Sequence, residues 1–262
     1  MDLGLRDRVA IVAAGSRGLG RAVAEELASE GAAVAIVARG RPPLDAVCAA
    51  IRERGGRAHG IAADVADPAD ISRAVDETTR VFGPPDILLT NSGGPRSGPF
   101  ESLTPDDWDA AARLLLTSAV TFARAVLPGM RARRWGRILN VTSIAAKQPV
   151  GGLMLSNSLR LAVIGFARTL ANEVAADGIT VNNLLPGYTR TDRVVELAEQ
   201  MAAREGTTPD VVIGRWEAET PMQRIGEPRE FAALAAFLAS ERASFITGQS
   251  IAVDGGWIRA VL

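Results

Sequence analysis

Short apolar runs alternate with longer helical patterns along nearly the whole chain, and no other feature of the sequence restricts the fold as strongly. Residues 9–13, 33–38, 58–62 and 86–90 read as four strands, and residues 136–141, 179–184 and 249–253 as three more. The runs are continuous rather than alternating in polarity, so they suit strands covered on both faces, as in a parallel sheet. Helical patterns at 20–29, 44–54, 68–82, 105–133, 152–176 and 228–240 fill the intervals, with Pro68 placed to open the third. Right-handed crossovers then put helices on both faces and give a doubly wound α/β sandwich. Residues 191–227 hold weak helical stretches and no convincing strand, and read as an insertion or lid. No repeat, low-complexity tract or linker divides the 262 residues, so a single domain over 1–262 is expected.

Ligands of such sheets sit beyond the carboxyl ends of the strands, which makes the strand-following residues the ones to inspect. The first strand feeds Ala14-Gly15-Ser16-Arg17-Gly18-Leu19-Gly20 and then a helix. Glycines let the backbone turn tightly and approach a pyrophosphate, and the free N–H groups of the helix attract its charge. A glycine pair alone is weak evidence, but in a strand–turn–helix setting it points to a dinucleotide. Arg39 follows the second strand, where an acid would hold the free 2′-hydroxyl of NAD and an arginine suits the 2′-phosphate of NADP. Arg17 lies in the phosphate loop within reach of the same group, so NADP (NADPH) is preferred over NAD. Asp64 and Val65 follow the third strand and address the adenine edge, unless Asp64 simply caps a helix. Asn91, Ser92 and Gly93 end the fourth strand with a small, flexible wall, which is equally the composition of an ordinary turn. Pro186, Gly187, Thr189 and Thr191 end the sixth and bring backbone groups and a hydroxyl toward a nicotinamide.

The formal net charge of −1 provides no field to recruit a polyanion, so no nucleic-acid partner is expected. The apolar runs read as too short or too interrupted to span a bilayer. Cys48 is the single cysteine, so no intrachain disulfide forms, and its apolar helical setting suits a reduced, buried thiol. A cytoplasmic protein acting on a small molecule follows.

At this point the chain resembles the classical short-chain dehydrogenase/reductase family over essentially its whole length. The match rests on GSRGLG, NSGG, the segment Asn140 to Ser143, PGYTRT, and ITGQSIAVDGGW near the end. The resemblance implies a Rossmann-type three-layer sandwich with about seven parallel strands, an NAD(P)-dependent oxidoreductase activity, and a homodimer or homotetramer. It also exposes departures. The family's first phosphate-loop glycine corresponds to Ala14, and its asparagine pair after the fourth strand is reduced to Thr90 and Asn91. The family's catalytic serine corresponds to Ser143, but Ser156 stands in place of its tyrosine, Arg160 in place of its lysine and Leu115 in place of its asparagine.

Hydride delivery to a carbonyl builds charge on oxygen, and an acid must neutralise it. A serine hydroxyl is far less acidic than a phenol, and an arginine holds its proton. Ser156 and Arg160 are four apart on a predicted helix and share a face, so Arg160 is expected to anchor a nicotinamide ribose while Ser143 binds a substrate oxygen. Tyr188, the only tyrosine, and Lys147 are the alternative acids, whereas His59, the only histidine, lies remote from the cleft. Three readings result: an NADP-dependent oxidoreductase with an atypical site for a small carbonyl or imine; a redox-neutral cyclase, dehydratase or isomerase; and a nucleotide-binding scaffold without turnover. Met201, Val212, Ile213 and Trp216 are available to line a substrate pocket under the lid, with Leu153, Met154 and Leu155 near the reacting end. The apolar residues of the 152–176 helix cover more than one face, and the resemblance implies that such a helix pairs across a dimer axis.

Overall fold

The computed structural model describes residues 2–261. Its strands are β1 (Val9–Ala13), β2 (Ala33–Ala38), β3 (Arg57–Ala62), β4 (Ile87–Thr90), β5 (Gly136–Val141), β6 (Ile179–Pro186) and β7 (Ser250–Val253). All seven join one sheet in the order β3-β2-β1-β4-β5-β6-β7, and every neighbouring pair is parallel. The burial pattern explains the sequence pattern. β1, β2, β4 and β5 are buried at every residue, while the edge strands β3 and β7 are only partly covered.

The helices are α1 (Gly18–Ser29), α2 (Arg41–Glu53), α3 (Pro68–Phe82), α4 (Pro105–Ala112), α5 (Ser118–Arg133), α6 (Met154–Val174), α7 (Asp192–Glu205), α8 (Pro209–Glu219) and α9 (Pro228–Ala239). Successive strand residues point to opposite faces and feed two cores. Ala10, Val12, Val34 and Ile36 pack with α1, α2 and α9, through residues such as Val23, Leu27, Leu44 and Phe231. Ile11, Ala13, Ala35 and Val37 pack with α3, α5 and α6, through Ile71, Phe122, Val126 and Leu170.

Some element boundaries differ from the sequence reading. α2 begins at Arg41 because Pro42 and Pro43 fit a first turn, where a missing N–H breaks no intrahelical bond. α6 begins after Gly152, whose φ of +74° lies outside helical geometry. The helix expected over 105–133 passes through a π-helical segment, Arg113–Thr117, between α4 and α5. By length and mean hydropathy, Pro105–Arg133 is apolar enough to cross a membrane, which corrects the expectation that no run reaches that threshold. Its Phe122, Ala123, Val126 and Met130 are buried in the core beside the sheet. The region read as an insertion or lid holds α7 and α8, with a small core of Ala198, Ala202, Val212, Trp216 and Ile225.

Candidate active site

The chain leaves β1 toward β2 on one side and builds β4 on the other, so the loops after these two neighbours diverge and open a crevice. A cleft of about 780 Å³ occupies it and runs from the phosphate loop to the start of α6. Ser16, Arg17, Gly18, Leu19, Arg39, Asp64, Val65, Asn91, Ser92, Gly93, Ser143, Ser156, Arg160, Pro186, Gly187, Tyr188, Thr189 and Thr191 all line it. Gly15 and Gly20 do not. The Gly15 N–H donates to the Val37 carbonyl at 3.2 Å, and a Cβ there would lie 2.7 Å from Ile36 Cγ2. A Cβ on Gly20 would lie 2.5 Å from the Ala14 carbonyl oxygen. These two glycines let the turn pack on the sheet, and the wall itself is formed by their neighbours.

The phosphate end suits a dinucleotide. Arg17 is the extended residue before α1, and no side chain caps this helix, so its first-turn amides retain their donors and the positive end of the dipole. The loop after β6 folds over this turn, with a Cβ position on Gly18 only 3.4 Å from Thr191 Cγ2. Thr191 precedes α7 without a side-chain capping bond, which leaves its hydroxyl available. Arg17 and Arg39 are both exposed on the cleft, and neither forms an ion pair or side-chain hydrogen bond with the described residues. They fit an additional phosphate. The alternative role for Asp64 belongs instead to Asp67, which caps α3 by accepting from the Ala69 N–H at 2.9 Å. Asp64 Oδ1 accepts from the Ala66 N–H and steadies the loop after β3.

Beneath the cleft floor, strand register creates a polar row that sequence reading missed. Thr90 faces Asn140, Asn140 faces Asn183, and Asn183 faces Ser250 across four strands. Thr90 Oγ1 donates to Asn140 Oδ1 at 2.7 Å, Asn140 Nδ2 to Asn183 Oδ1 at 3.2 Å, and Asn183 Nδ2 to Ser250 Oγ at 3.1 Å.

The row leads into the reacting end. Ser143 follows β5, and its Oγ accepts from the Ala145 N–H at 3.1 Å. Ser156 lies buried in the first turn of α6, where its Oγ accepts from Arg160 Nε at 3.0 Å. Arg160 Nη1 donates to the carbonyls of Val141 at 3.1 Å and Thr142 at 2.8 Å, so this guanidinium is turned onto the end of β5. Its Nη2 has no hydrogen-bond partner among the described residues. Desolvation first, and then the charge of Arg193, pulls Arg160 down to about 10, which still leaves it protonated at neutral pH. Leu115 lies in the π-helical segment and borders a cavity of only about 10 Å³ with Thr90 and Arg160. That volume is at the lower limit for one water.

Tyr188 stacks on Trp216 with ring centroids 4.4 Å apart and meets Trp257 edge-on at 6.0 Å. Burial, with Glu219 nearby, pushes its phenol up to about 12. Lys147 is exposed outside the cleft. His59 lies 2.6 Å from Glu77, between β3 and α3. The residues expected to line a pocket from this region sort differently: Val212 and Trp216 are buried in the small core of α7 and α8, and Ile213 packs against it. Met201 borders a side cavity of about 170 Å³, and Val194 and Leu197 reach the main cleft. Leu153 also lines the cleft, whereas Leu155 is core and Met154 is exposed.

Sequence reading also passed over Arg193, in the first turn of α7, whose guanidinium nitrogens lie within 2.9–3.0 Å of a Cβ position on Gly94. A helix opening directly after a loop that follows a strand's carboxyl end is the signal that would have found it.

The fold and cleft define a doubly wound enzyme of the dinucleotide-binding class. Residues 13–258 match the family model described as Enoyl-(Acyl carrier protein) reductase. The chain is 37% identical over 251 residues to the short-chain reductase protein NovJ of Streptomyces niveus, covering 96% of this chain and 94% of that protein. It is 35% identical over 254 residues to the 3-oxoacyl-(acyl-carrier-protein) reductase FabG of Vibrio cholerae, covering 97% and 98%. The solved structure of L-sorbose reductase from Gluconobacter frateurii, complexed with NADPH and L-sorbose, superimposes with a TM-score of 0.95 at 34% identity, covering 100% of both chains. The chain belongs to the classical short-chain dehydrogenase/reductase family and is an oxidoreductase of that class, which sets aside the scaffold reading.

Proposed function

We propose that this chain is an NADPH-dependent reductase of a small carbonyl or imine compound, with an active site in which a serine backed by a fixed cation replaces the family's phenolic acid. The observation that carries this reading is the contact between Arg160 Nε and Ser156 Oγ at the reacting end of a cleft whose other end suits a dinucleotide phosphate. Bound NADPH supplies a hydride. Arg17 and Arg39 would hold its 2′-phosphate, and the α1 amides with Thr191 its pyrophosphate. Among the relatives, the sorbose and 3-oxoacyl reductases are named for carbonyl substrates, which supports the substrate class.

The chain's own groups then act on the substrate oxygen. The Ser156 oxygen accepts from a guanidinium and the Ser143 oxygen from a backbone N–H, so each hydroxyl keeps its proton to donate. Both donate to the oxygen as its charge develops, and Arg160 stabilises that charge through Ser156. The final proton comes from solvent, and a protonated imine needs none. The same reading includes a cytoplasmic homodimer or homotetramer.

Single-turnover mixing of the NADPH-loaded protein with a panel of ketones, aldehydes and imines tests it. Loss of NADPH absorbance with at least one member is expected. Substrate consumed without that loss would replace reduction by redox-neutral chemistry.

A further inference from the structure

The reacting end of the cleft carries positive charge that the described residues leave poorly neutralised. Arg96 lines the same cleft but is tied to Asp107 at 2.6 Å, and Arg190 pairs with Glu227 at 3.2 Å. Arg160 and Arg193 differ. Every acceptor of Arg160 is a neutral oxygen: Ser156 Oγ and the carbonyls of Val141 and Thr142. Arg193 lies against Gly94, across the cleft from its own helix, and its closest carboxylate is the largely exposed Glu196 at 3.8 Å. Asp192 also lines the cleft but forms no ion pair with either arginine. Arg160 borders a small cavity with Asn91 and Ser92, and Arg193 lies against Gly94 two residues on, so both cations flank the same loop after β4. The charge of Arg193 disfavours the charged form of Arg160.

Like charges placed together in a partly desolvated site repel, and an anion between them removes that repulsion. The cofactor's phosphates do not fill this role in the proposed arrangement, because Arg17, Arg39 and the α1 amides already receive them. We infer that Arg160, through its free Nη2, and Arg193 form the receptor for a carboxylate carried by the substrate, so the natural substrate is an oxo acid or its imine. This deepens the reductase reading and rests on it for the reacting group. The planar, forked donors of arginine match a carboxylate, and the position of Arg193 on α7 places recognition on the lid.

Calorimetry on the NADP⁺-loaded protein tests the inference without requiring turnover. The probes are oxo acids with the carboxylate one, two or three carbons from the ketone, each paired with its uncharged amide. At least one acid is expected to bind about tenfold or more tightly than its amide, as charge-assisted pairs do. Arg193→Gln is expected to reduce that preference to about twofold with NADP⁺ affinity unchanged, and an unaltered thermal unfolding midpoint serves as the check on folding. Equal binding of acid and amide across the series overturns the inference. So does a loss of NADP⁺ affinity in Arg193→Gln, which would assign the residue to the cofactor. A retained acid preference without hydride transfer would overturn only the reductase reading.

Discussion

Ser156 is the residue where the reading of the active site is most exposed to test. It stands at the family's tyrosine position and accepts from Arg160, so its hydroxyl is a donor backed by charge. Ser156→Ala is expected to lower kcat by roughly a hundredfold, the usual cost of one oxyanion donor, with little change in NADPH affinity. Unchanged single-turnover rates would remove it from the chemistry. Tyr188 makes the opposite claim. Its phenol is raised from 10.0 to about 12, first by burial and then by Glu219. The protonated form is therefore favoured in the folded state. Stability from this group is complete below pH 10 and is lost as pH rises through about 12. Because the chain has one tyrosine, phenolate absorbance reads it directly, and a midpoint at 10 would contradict the packed ring. Ala14 is strained at φ +47°, in the left-handed region. Ala14→Gly relieves roughly 1–2 kcal/mol of steric cost against roughly 0.4–1 kcal/mol of added chain entropy. A net gain of about 0.5–1 kcal/mol in urea denaturation is expected from those two magnitudes.

Strands and helices were largely legible because continuous burial leaves continuous apolar runs: β1, β2, β5 and α3 have the bounds that periodicity predicts. Partnership between elements was not legible. Nothing along the chain says that Thr90, Asn140, Asn183 and Ser250 stand side by side, because parallel register depends on how whole crossovers pack. The row matters because it joins strands just before the carbonyls that hold Arg160. Asn140→Ala removes two buried partners and leaves a cavity, so a loss of about 3 kcal/mol is expected by equilibrium denaturation. A loss below about 1 kcal/mol would mean the row carries little of the sheet's cohesion. The π-helical segment at Leu115 was equally hidden, since residue composition does not distinguish an i→i+5 turn from the α-helical turns on either side of it.

At the scale of the whole molecule, α6 buries Val163, Ala167, Leu170 and Val174 against the sheet but leaves Leu161 54% exposed. In Pro105–Arg133, Leu116 and Val120 are half-buried. A homodimer or homotetramer that covers these helices is the proposed assembly. Sedimentation at micromolar concentration is expected to give a dimer or tetramer mass, and Leu161→Arg to shift it toward the monomer. A monomeric mass for the unaltered chain would sink the proposal.

The sequence by itself determined the order of elements, the doubly wound class and the set of loops that face the cleft. Those properties follow from local periodicity and from what glycine, proline and arginine can do where they stand. Only the tertiary structure decided which side chains meet: Arg160 turned onto the end of β5, Arg193 laid on Gly94, Tyr188 stacked on Trp216, and Gly15 and Gly20 behind the wall. Contacts between residues far apart in the chain depend on register, crossover packing and rotamer, and none of these leaves a mark on a local stretch of sequence.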